Sequence, residues 1–554
     1  MSNPKGPPAP PASSADLSAT TLSRRMVLKG ASAAAVAAAV GCGDSSSQTT
    51  GSGASGAGGS ITGAGGAGGT GGETTSSGGG GAGPGGAGGS GGTGGVGASG
   101  GMGGNGGPGG NGGAGGSGGA GGGGGAGGGG GESCSGDGGL SPEALLAPIE
   151  TIVVLCMENR SFDHYLGSLA LLEGKPVDGL LGTESNPDPD GAPITVHLLS
   201  DFTVEDPPHG WDASHAQWNN GLNDGFVIAH EGSAQADVMG YHVRDQLASH
   251  YGLADEYVVC DRWFASVMGP TWPNRFYLHG ATSKGQKGNS PVFGFKSFFQ
   301  VMDEAGLSSM NYYHDVAWAS GGYFKLTGLA TIEKFFQAAA NGTLPSFSII
   351  DPQFFGNGAN DDHPDHDIQL GQALIATVYE ALAQSPQWGK VLFVVTYDEH
   401  GGFFDHVPPP TTVDENSGFE QLGFRVPALV AGPFVRKGCV VSTPFDHVSV
   451  IRTVQRRFGL PSLNERMDAT NDLSSCIDPA YIDNPQPPAS LPPVPVSLSR
   501  VFRNTPRHIS QRELWAMAEA GLIAPWLDRR SESDTITRHV LEHGARLGAV
   551  KLLP

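Results

Sequence analysis

The sequence predicts an α/β domain in which a mostly parallel β-sheet is sandwiched by helices. Several runs of aliphatic and β-branched residues lack the polar alternation of a half-exposed strand, as expected for parallel strands that are covered on both faces. These runs are Ile149–Cys156, Val258–Val259 with its neighbours, Phe347–Ile350, Val391–Thr396 and Val426–Ala431. Segments with helical spacing lie between them, including Asp367–Ala383 and His447–Phe458. This alternation of strands and helices is typical of a sheet covered by helices.

The composition restricts this domain to part of the chain. More than half of the 92 glycines lie between Gly51 and Gly131. Residues 43–139 have few apolar side chains and almost no charge, so burial cannot offset the chain entropy lost on folding. We therefore expect a disordered, glycine-rich tether there, followed by the domain at residues 140–480. Residues 481–554 are predicted to be a proline-rich segment and two amphipathic helices that pack on the domain, in preference to a membrane role.

Residues 1–42 have the features of an export signal. Arg24 and Arg25 resemble a twin-arginine motif, and the apolar region Ala31–Val40 that follows is too short to span a bilayer. Cys42 closes this region as in a lipobox, so it is predicted to become the lipidated first residue. The alternative is an ordinary thiol in a cleaved peptide. We expect a periplasmic or cell-surface lipoprotein, or a secreted protein.

The charge of the chain is strongly acidic, with 31 Lys and Arg against 53 Asp and Glu and a formal net charge of -22. Nucleic acids and anionic membranes are held by basic surfaces. The composition therefore argues against nucleic acid as a partner and against a membrane held by bulk charge.

The six cysteines show no C-x-x-C spacing that would indicate a zinc or redox site. Cys156, Cys260 and Cys439 lie in or beside apolar runs and are expected to be buried free thiols. Cys134 and Cys476 flank the domain, and export would permit a disulfide. The pairing is not determined by the sequence.

Polar side chains follow two of the predicted strands. Glu158 and Asn159 come directly after the first strand, and Asp398 and Glu399 follow the run Val391–Thr396. Ligands bind at the carboxyl ends of strands in open α/β sheets, and oxygen ligands of this kind suit a hard divalent cation. The alternative is that Glu158 and Asp398 cap helices, which is weaker because both strands end in paired polar groups.

Three further polar side chains lie in loops rich in turn-forming residues. Thr271 is a candidate nucleophile if a metal lowers the pKa of its hydroxyl, and His209 and His363 could hold phosphoryl oxygens or protonate a leaving group. For Thr271 alone, a β-turn hydroxyl bonded to its own backbone is the alternative.

Five motifs, in this order, resemble the bacterial phosphoesterase family of non-haemolytic phospholipases C and acid phosphatases. They are Glu158–Gly167, Pro207–His209, Gly269–Arg275, Tyr397–Val407 and Asp446–Ser449. The resemblance implies an alkaline-phosphatase-like fold with a divalent metal ion of unknown identity, held by Glu158, Asn159, Asp398 and Glu399. It implies that Thr271 is a nucleophile and that His209 and His363 assist at the phosphate.

One residue departs from the family pattern, since Trp272 stands where the family often has His after the nucleophile. Together with the export signal, the resemblance predicts an exported, metal-dependent phosphoesterase that hydrolyses phosphodiesters such as phospholipids through a phosphothreonine intermediate. An acid phosphatase acting on phosphomonoesters is the alternative. A catalytically silent, surface-tethered binding protein is an alternative of another class, and the intact set of site residues argues against it.

Overall fold

A computed structural model of the chain describes residues 134, 136–230, 235–503 and 506–554. The predicted export signal with Cys42 and nearly all of the predicted tether lie outside the described residues. Within the described ranges, no helix combines the length and the apolar character that crossing a lipid bilayer requires.

An eight-stranded sheet forms the centre of the described domain. Its strands are β1 (Thr151–Met157), β2 (Val258–Cys260), β3 (Ser309–Tyr313), β4 (Leu329–Thr331), β5 (Phe347–Asp351), β6 (Val391–Tyr397), β7 (Ala428–Ala431) and β8 (Val440–Val441). The order across the sheet is β8-β2-β7-β6-β1-β5-β3-β4. All neighbours are parallel except β7, which runs antiparallel to β6 and β2. The predicted α/β fold with a mostly parallel sheet is confirmed.

Strands β1 and β6 form the centre of the sheet, and every residue of both is buried. Such strands have both faces covered, which explains why their sequences are apolar without alternation. The register pairs Met157 with Tyr397, the last residues of the two strands. Glu158 and Asp398 therefore leave the sheet at the same edge.

Helices surround the sheet. They are α1 (Pro142–Leu146), α2 (Phe162–Leu166), α3 (Ser168–Glu173), α4 (Trp211–Trp218), α5 (Phe226–Ala229), α6 (Ala248–Glu256), α7 (Thr271–Gly280), α8 (Phe298–Glu304), α9 (Trp318–Gly322), α10 (Ile332–Asn341), α11 (Ile368–Ala383), α12 (Val448–Phe458), α13 (Glu465–Ala469), α14 (Leu498–Val501), α15 (Arg512–Glu519) and α16 (Ser533–Leu547). Helix α7 packs against α12, and α11 packs against α6 and α16. The C-terminal helix α16 thus packs on the domain through α11.

Three strands of the sheet were not predicted. Strand β3 contains Asn311 and two tyrosines, β4 is only partly buried, and β8 has two residues. A short or partly exposed strand buries few side chains. Its sequence therefore contains too few apolar residues to give a clear strand pattern. Smaller two-stranded pairings are Ser185–Pro187 with Pro193–Thr195, His197–Leu198 with Gly240–Tyr241, and Val494–Ser497 with Val550–Leu553.

The prediction for Cys439 was wrong, because this residue forms a disulfide with Cys134. The chain near Cys134 is held beside β8, where the Arg436 guanidinium donates to the carbonyl oxygen of Gly136. Cys476, which was considered for a disulfide, is instead a buried free thiol beside Cys260, with 3.9 Å between the sulfur atoms. Cys156 and Cys260 are buried free thiols as predicted.

Candidate active site

The two polar strand ends meet at one edge of the sheet. The backbone N–H of Asn159 donates to Oδ1 of Asp398 at 3.0 Å, and the N–H of Arg160 donates to the carbonyl oxygen of Glu399 at 3.0 Å. The side chains of Glu158, Asn159, Asp398 and Glu399 are fully buried. The structure therefore brings the four predicted metal ligands into one cluster.

The helix-cap alternative for these residues does not hold. Helix α2 is capped by Ser161, whose hydroxyl oxygen accepts from the N–H of His164 at 3.2 Å. Oδ1 of Asp398 instead accepts from the N–H groups of Asn159 and Glu399, at 3.0 and 2.8 Å. Glu158 and Asp398 therefore belong to the cluster, and neither of them caps helix α2.

The Arg275 guanidinium lies within the cluster. Its Nη2 donates to Oε1 of Glu158 at 3.0 Å, its Nε donates to Oδ2 of Asp398 at 3.2 Å, and its Nη1 lies 3.5 Å from Oδ1 of Asp351. Sequence reasoning gave Arg275 no role. The available signal was its spacing, since it follows Thr271 by four residues and the two share one face of helix α7.

Negative charge exceeds positive charge in the cluster. Burial raises the pKa of Glu158 well above its usual range, against the opposing effect of Arg275. Burial also raises the pKa of Asp398 to about 7, where Arg275 opposes the rise and Glu399 adds to it. These carboxyl groups and Asp351 share one buried guanidinium. A further cation would therefore bring the net charge of the cluster closer to neutral.

Three oxygens of the cluster are buried without a hydrogen-bond partner among the described residues. They are Oε2 of Glu158, Oδ1 of Asn159 and Oε1 of Glu399. Buried polar atoms are nearly always paired, so three orphans in one place indicate a missing ligand. Two carboxylate oxygens and one amide oxygen are the donor types that a hard divalent cation prefers, and the predicted metal site therefore fits these residues.

Thr271 is the first residue of helix α7 and is 4% exposed. Its place in a helix removes the β-turn alternative. Arg275, one turn further along the same face, contacts Glu158 and Asp398. Thr271 therefore lies at a helix N-terminus one turn from the carboxylate cluster, where the N–H of Trp272 donates to Oδ1 of Asn289 at 2.9 Å and the N–H of Thr271 has no helical partner.

His209 and His363 lie together beside the cluster. Nδ1 of His209 donates to the carbonyl oxygen of Pro207 at 2.7 Å, and Nε2 lies 3.2 Å from Nδ2 of Asn159 and 3.8 Å from Oε1 of Glu399. The rings of His209 and His363 are 6.0 Å apart between centroids. The structure thus brings both predicted histidines to the same site.

Asp206 completes a second group of potential metal ligands, which sequence reasoning did not identify. Asp206, His209 and His363 each offer one ligand atom, and these atoms lie within 4.8 Å of one another. Burial lowers the pKa of His209, but Glu399 and Asp206 outweigh it and raise the value to about 9. For His363 burial dominates and lowers the pKa to about 3.

The wall beside Thr271 is formed by Trp272, the residue that departs from the family pattern. Its ring is fully buried, and its indole N–H donates to Oε1 of Gln511 at 2.8 Å. Gln511 Nε2 also donates to Oε1 of Glu158. Sequence reasoning missed Gln511, because no motif surrounds it and it is 353 residues from Glu158 in the chain.

Comparison with known proteins supplies the family. Residues 149–461, which include the predicted metal ligands, Thr271 and both histidines, match the Phosphoesterase family. The chain belongs to the phosphoesterase family. The resemblance seen in the motifs is confirmed, and so is the prediction of a phosphoesterase.

The curated relatives of this phosphoesterase include plant and bacterial proteins. Non-specific phospholipase C1 of Arabidopsis thaliana is 39% identical over 371 residues, which cover 58% of this chain and 69% of that protein. Phospholipase C B of Mycobacterium tuberculosis is 30% identical over 423 residues, covering 62% of this chain and 80% of that protein.

Solved structures are more distant. A protein in the alkaline phosphatase superfamily from Vibrio parahaemolyticus is 13% identical with a TM-score of 0.29, covering 53% of this chain and 73% of that chain. At that level of similarity it carries no argument about the site of this phosphoesterase. The roles of the individual site residues therefore stay predictions.

Proposed function

We propose that this phosphoesterase is a phospholipase C-like hydrolase that cleaves phosphodiesters such as phospholipids and uses Thr271 as its nucleophile. One observation carries the proposal. The unpartnered oxygens of Glu158, Asn159 and Glu399 lie in the cluster that Arg275 joins to the first helix turn of Thr271. A site of this kind combines cation ligands with a hydroxyl at a helix N-terminus.

Glu158, Asn159, Asp398 and Glu399 would hold a divalent cation. Its chemistry, when bound, is to polarise a phosphoryl oxygen and to favour the alkoxide form of a nearby hydroxyl. Arg275 donates to Glu158 and Asp398 and so opposes the rise in pKa that burial causes in these two carboxyl groups. His447 supports the loop after β6, since its Nε2 donates to the carbonyl oxygen of Asp398 at 2.7 Å.

Thr271 would attack the phosphorus atom of the substrate. Its hydroxyl loses a proton and its Oγ1–P bond forms as the P–O bond to the leaving alcohol breaks, which leaves Thr271 esterified to the phosphate together with the head group that the phosphate still carries. Water then hydrolyses this ester to restore the hydroxyl. His209 and His363, which lie beside the cluster, would hold phosphoryl oxygens, and His209, whose raised pKa favours the protonated ring, would supply a proton to the leaving oxygen.

The substrate class follows from the relatives. Both curated relatives described above bear the name phospholipase C, and the family match includes Thr271, both histidines and all four predicted metal ligands. This favours phosphodiesters over the phosphomonoesters of an acid phosphatase. A silent binding protein is the weaker alternative, because the nucleophile and all four predicted ligands are present and buried.

A comparison of two chromogenic substrates tests the proposal. We expect the purified protein to hydrolyse p-nitrophenyl phosphorylcholine faster than p-nitrophenyl phosphate, and a chelator to abolish both activities. Thr271→Ala should lose turnover, Thr271→Ser should retain part of it, and Thr282→Ala, also 4% exposed, should behave as the unmodified protein. Mass spectrometry after acid quenching should detect Thr271 carrying phosphorylcholine after reaction with the diester, or phosphate after reaction with p-nitrophenyl phosphate. Full turnover by Thr271→Ala would remove this residue from the mechanism.

We further propose that the protein is exported through its twin-arginine-type signal and is held at a membrane by a lipid on Cys42. The disulfide between Cys134 and Cys439 supports an oxidising compartment. Replacing Arg24 and Arg25 by lysine should leave the protein in the cytoplasm, and Cys42→Ala should release it from the membrane fraction. Unchanged fractionation of either variant would contradict the corresponding step.

A further inference from the structure

Side chains from beyond the family match reach the candidate site. The match ends at residue 461, whereas Ser510 and Gln511 are 1% and 6% exposed and contact the site directly. The hydroxyl of Ser510 donates to the carbonyl oxygen of Phe354 at 2.7 Å and lies 3.3 Å from Oδ2 of Asp361. The backbone carbonyl oxygen of Asp361 in turn accepts from the backbone N–H of Glu158 at 2.8 Å. The C-terminal segment is therefore attached to the loop that flanks the first predicted metal ligand.

The side-chain amide of Gln511 links two elements of the site. Its Oε1 accepts from the indole N–H of Trp272 at 2.8 Å, and its Nε2 donates to Oε1 of Glu158. An indole only donates and an ionised carboxylate only accepts, so these two partners fix the orientation of the amide. The backbone of Gln511 is in the left-handed region, with φ of 46°. A residue other than glycine keeps this conformation only where its contacts hold it.

These contacts determine how the Glu158 carboxylate is presented. Oε1 accepts from both Arg275 and Gln511, while Oε2 has no hydrogen-bond partner among the described residues. Two donors on one oxygen prevent the carboxylate from exchanging its oxygens by rotation. One oxygen is thus fully occupied by protein donors and the other is left free.

We propose that Gln511 is a positioning residue that keeps Oε2 of Glu158 free for the cation and couples this carboxylate, through Trp272, to the helix that begins with Thr271. The inference rests on the proposed function, in which Glu158 is a cation ligand. It assigns to the C-terminal segment a part in the site that the family match does not include.

This role is separable from the packing of helix α15 on the domain. Leu514 and Met517 of the helix are buried in an apolar cluster with Trp318, Ile523 and the ring of Trp272, whose N–H group is the atom that contacts Gln511. That packing does not involve the amide of Gln511. A variant of Leu514 therefore weakens the docking of the helix without removing a donor from Glu158, and it is the matched control.

Titration of the full-length protein with Mn²⁺, Zn²⁺ and Ca²⁺, each alone, tests the proposal by calorimetry. Gln511→Met keeps the length of the side chain and removes both hydrogen bonds. We expect its cation affinity to fall ~10-fold to ~100-fold, as is typical when a partner of a metal ligand is lost. Its kcat for p-nitrophenyl phosphorylcholine should fall by a similar factor, and its KM should change little. Leu514→Ala should lower the melting temperature while keeping the cation affinity within about twofold.

Three results would overturn the proposal. The first is unchanged cation affinity and kcat in Gln511→Met, and the second is an equal loss of affinity in Leu514→Ala, which would mean that docking alone matters. The third is an unmodified protein that binds none of the three cations, which would overturn the proposed function together with this inference. If Gln511→Met does not fold, Trp272→Phe decides, because it removes the donor to Gln511 and keeps an aromatic ring in the buried cluster with Trp318. It should weaken cation binding ~3-fold or more, and an unchanged affinity would contradict the coupling.

Discussion

Arg275 and Glu158 form a fully buried ion pair in which Nη2 donates to Oε1 at 3.0 Å. Removing one partner of a buried pair leaves an uncompensated charge, at a cost of ~3–5 kcal/mol. We expect Arg275→Met to lower the free energy of unfolding by about this amount at pH 8, measured by urea denaturation with a chelator present. Lys390→Met is the control, because the Lys390–Glu150 pair is more than half exposed on both sides and contributes only ~0–1 kcal/mol. Equal losses of unfolding free energy in the two variants would mean that the buried pair contributes no more to stability than the exposed pair.

Gly401 allows the two strand ends to approach each other. Its φ is +64°, and a Cβ added there would lie 2.1 Å from the carbonyl oxygen of Asn159. We expect Gly401→Ala to push the loop after β6 away from Asn159 and to lower kcat at least ~10-fold, because misplaced ligands reduce catalysis strongly. Gly418→Ala isolates the backbone strain, since Gly418 has φ of +88° with nothing within 4 Å of an added Cβ. That variant should lose about 1 kcal/mol of stability and keep its activity. Equal activities in the two alanine variants would rule out the close approach as the cause.

The sequence was sufficient for the centre of the fold and for part of the candidate site. Strands β1 and β6 are apolar at every position because both faces are buried, and polar groups follow them where the burial ends. The motifs then identified residues that the structure brings into one cluster. Arg275 lies within a motif, but its role is evident only from the three carboxylates that it contacts in the structure.

Contacts between distant parts of the chain were beyond sequence reasoning. Gln511 reaches Glu158 from a segment with no motif, and its role depends on tertiary packing alone. The same holds for the cysteines, because apolar neighbours in the sequence indicate that a thiol is buried but do not show which residue it contacts. Cys439 is buried as expected, yet Cys134 approaches it from 305 residues away.

The disulfide between Cys134 and Cys439 closes a loop of 305 residues. Cross-links over long loops reduce the entropy of the unfolded chain, with a typical stabilisation of ~2–4 kcal/mol. We expect a reducing agent, or Cys134→Ser, to lower the free energy of unfolding by this amount. The reductant should have no further effect on Cys134→Ser, because Cys156, Cys260 and Cys476 are free thiols. A reductant effect that persists in this variant would show that another cross-link is responsible.

His406 makes the stability of the domain depend on pH. Its Nδ1 lies 2.6 Å from Oδ2 of Asp163 and its Nε2 lies 3.1 Å from Oδ1 of Asp178, while Arg425 lies on the same side of the ring. Burial lowers the pKa of His406, but the hydrogen bond and charge of Asp163, with Asp405, outweigh burial and Arg425 and raise the pKa to about 9.

A histidine whose pKa is raised in the folded state stabilises the protein most at low pH. The stabilisation is complete below the unfolded pKa of about 6.5 and is lost as the pH rises through about 9. Because the ring is a quarter exposed, we expect His406 to contribute ~1–3 kcal/mol below pH 6.5. Urea denaturation between pH 6 and pH 9.5 should therefore show a fall in stability that is larger by this amount in the unmodified protein than in His406→Gln. The difference between the two proteins removes the effect of the other titrating groups, and equal falls would mean that His406 is not charged in the folded protein.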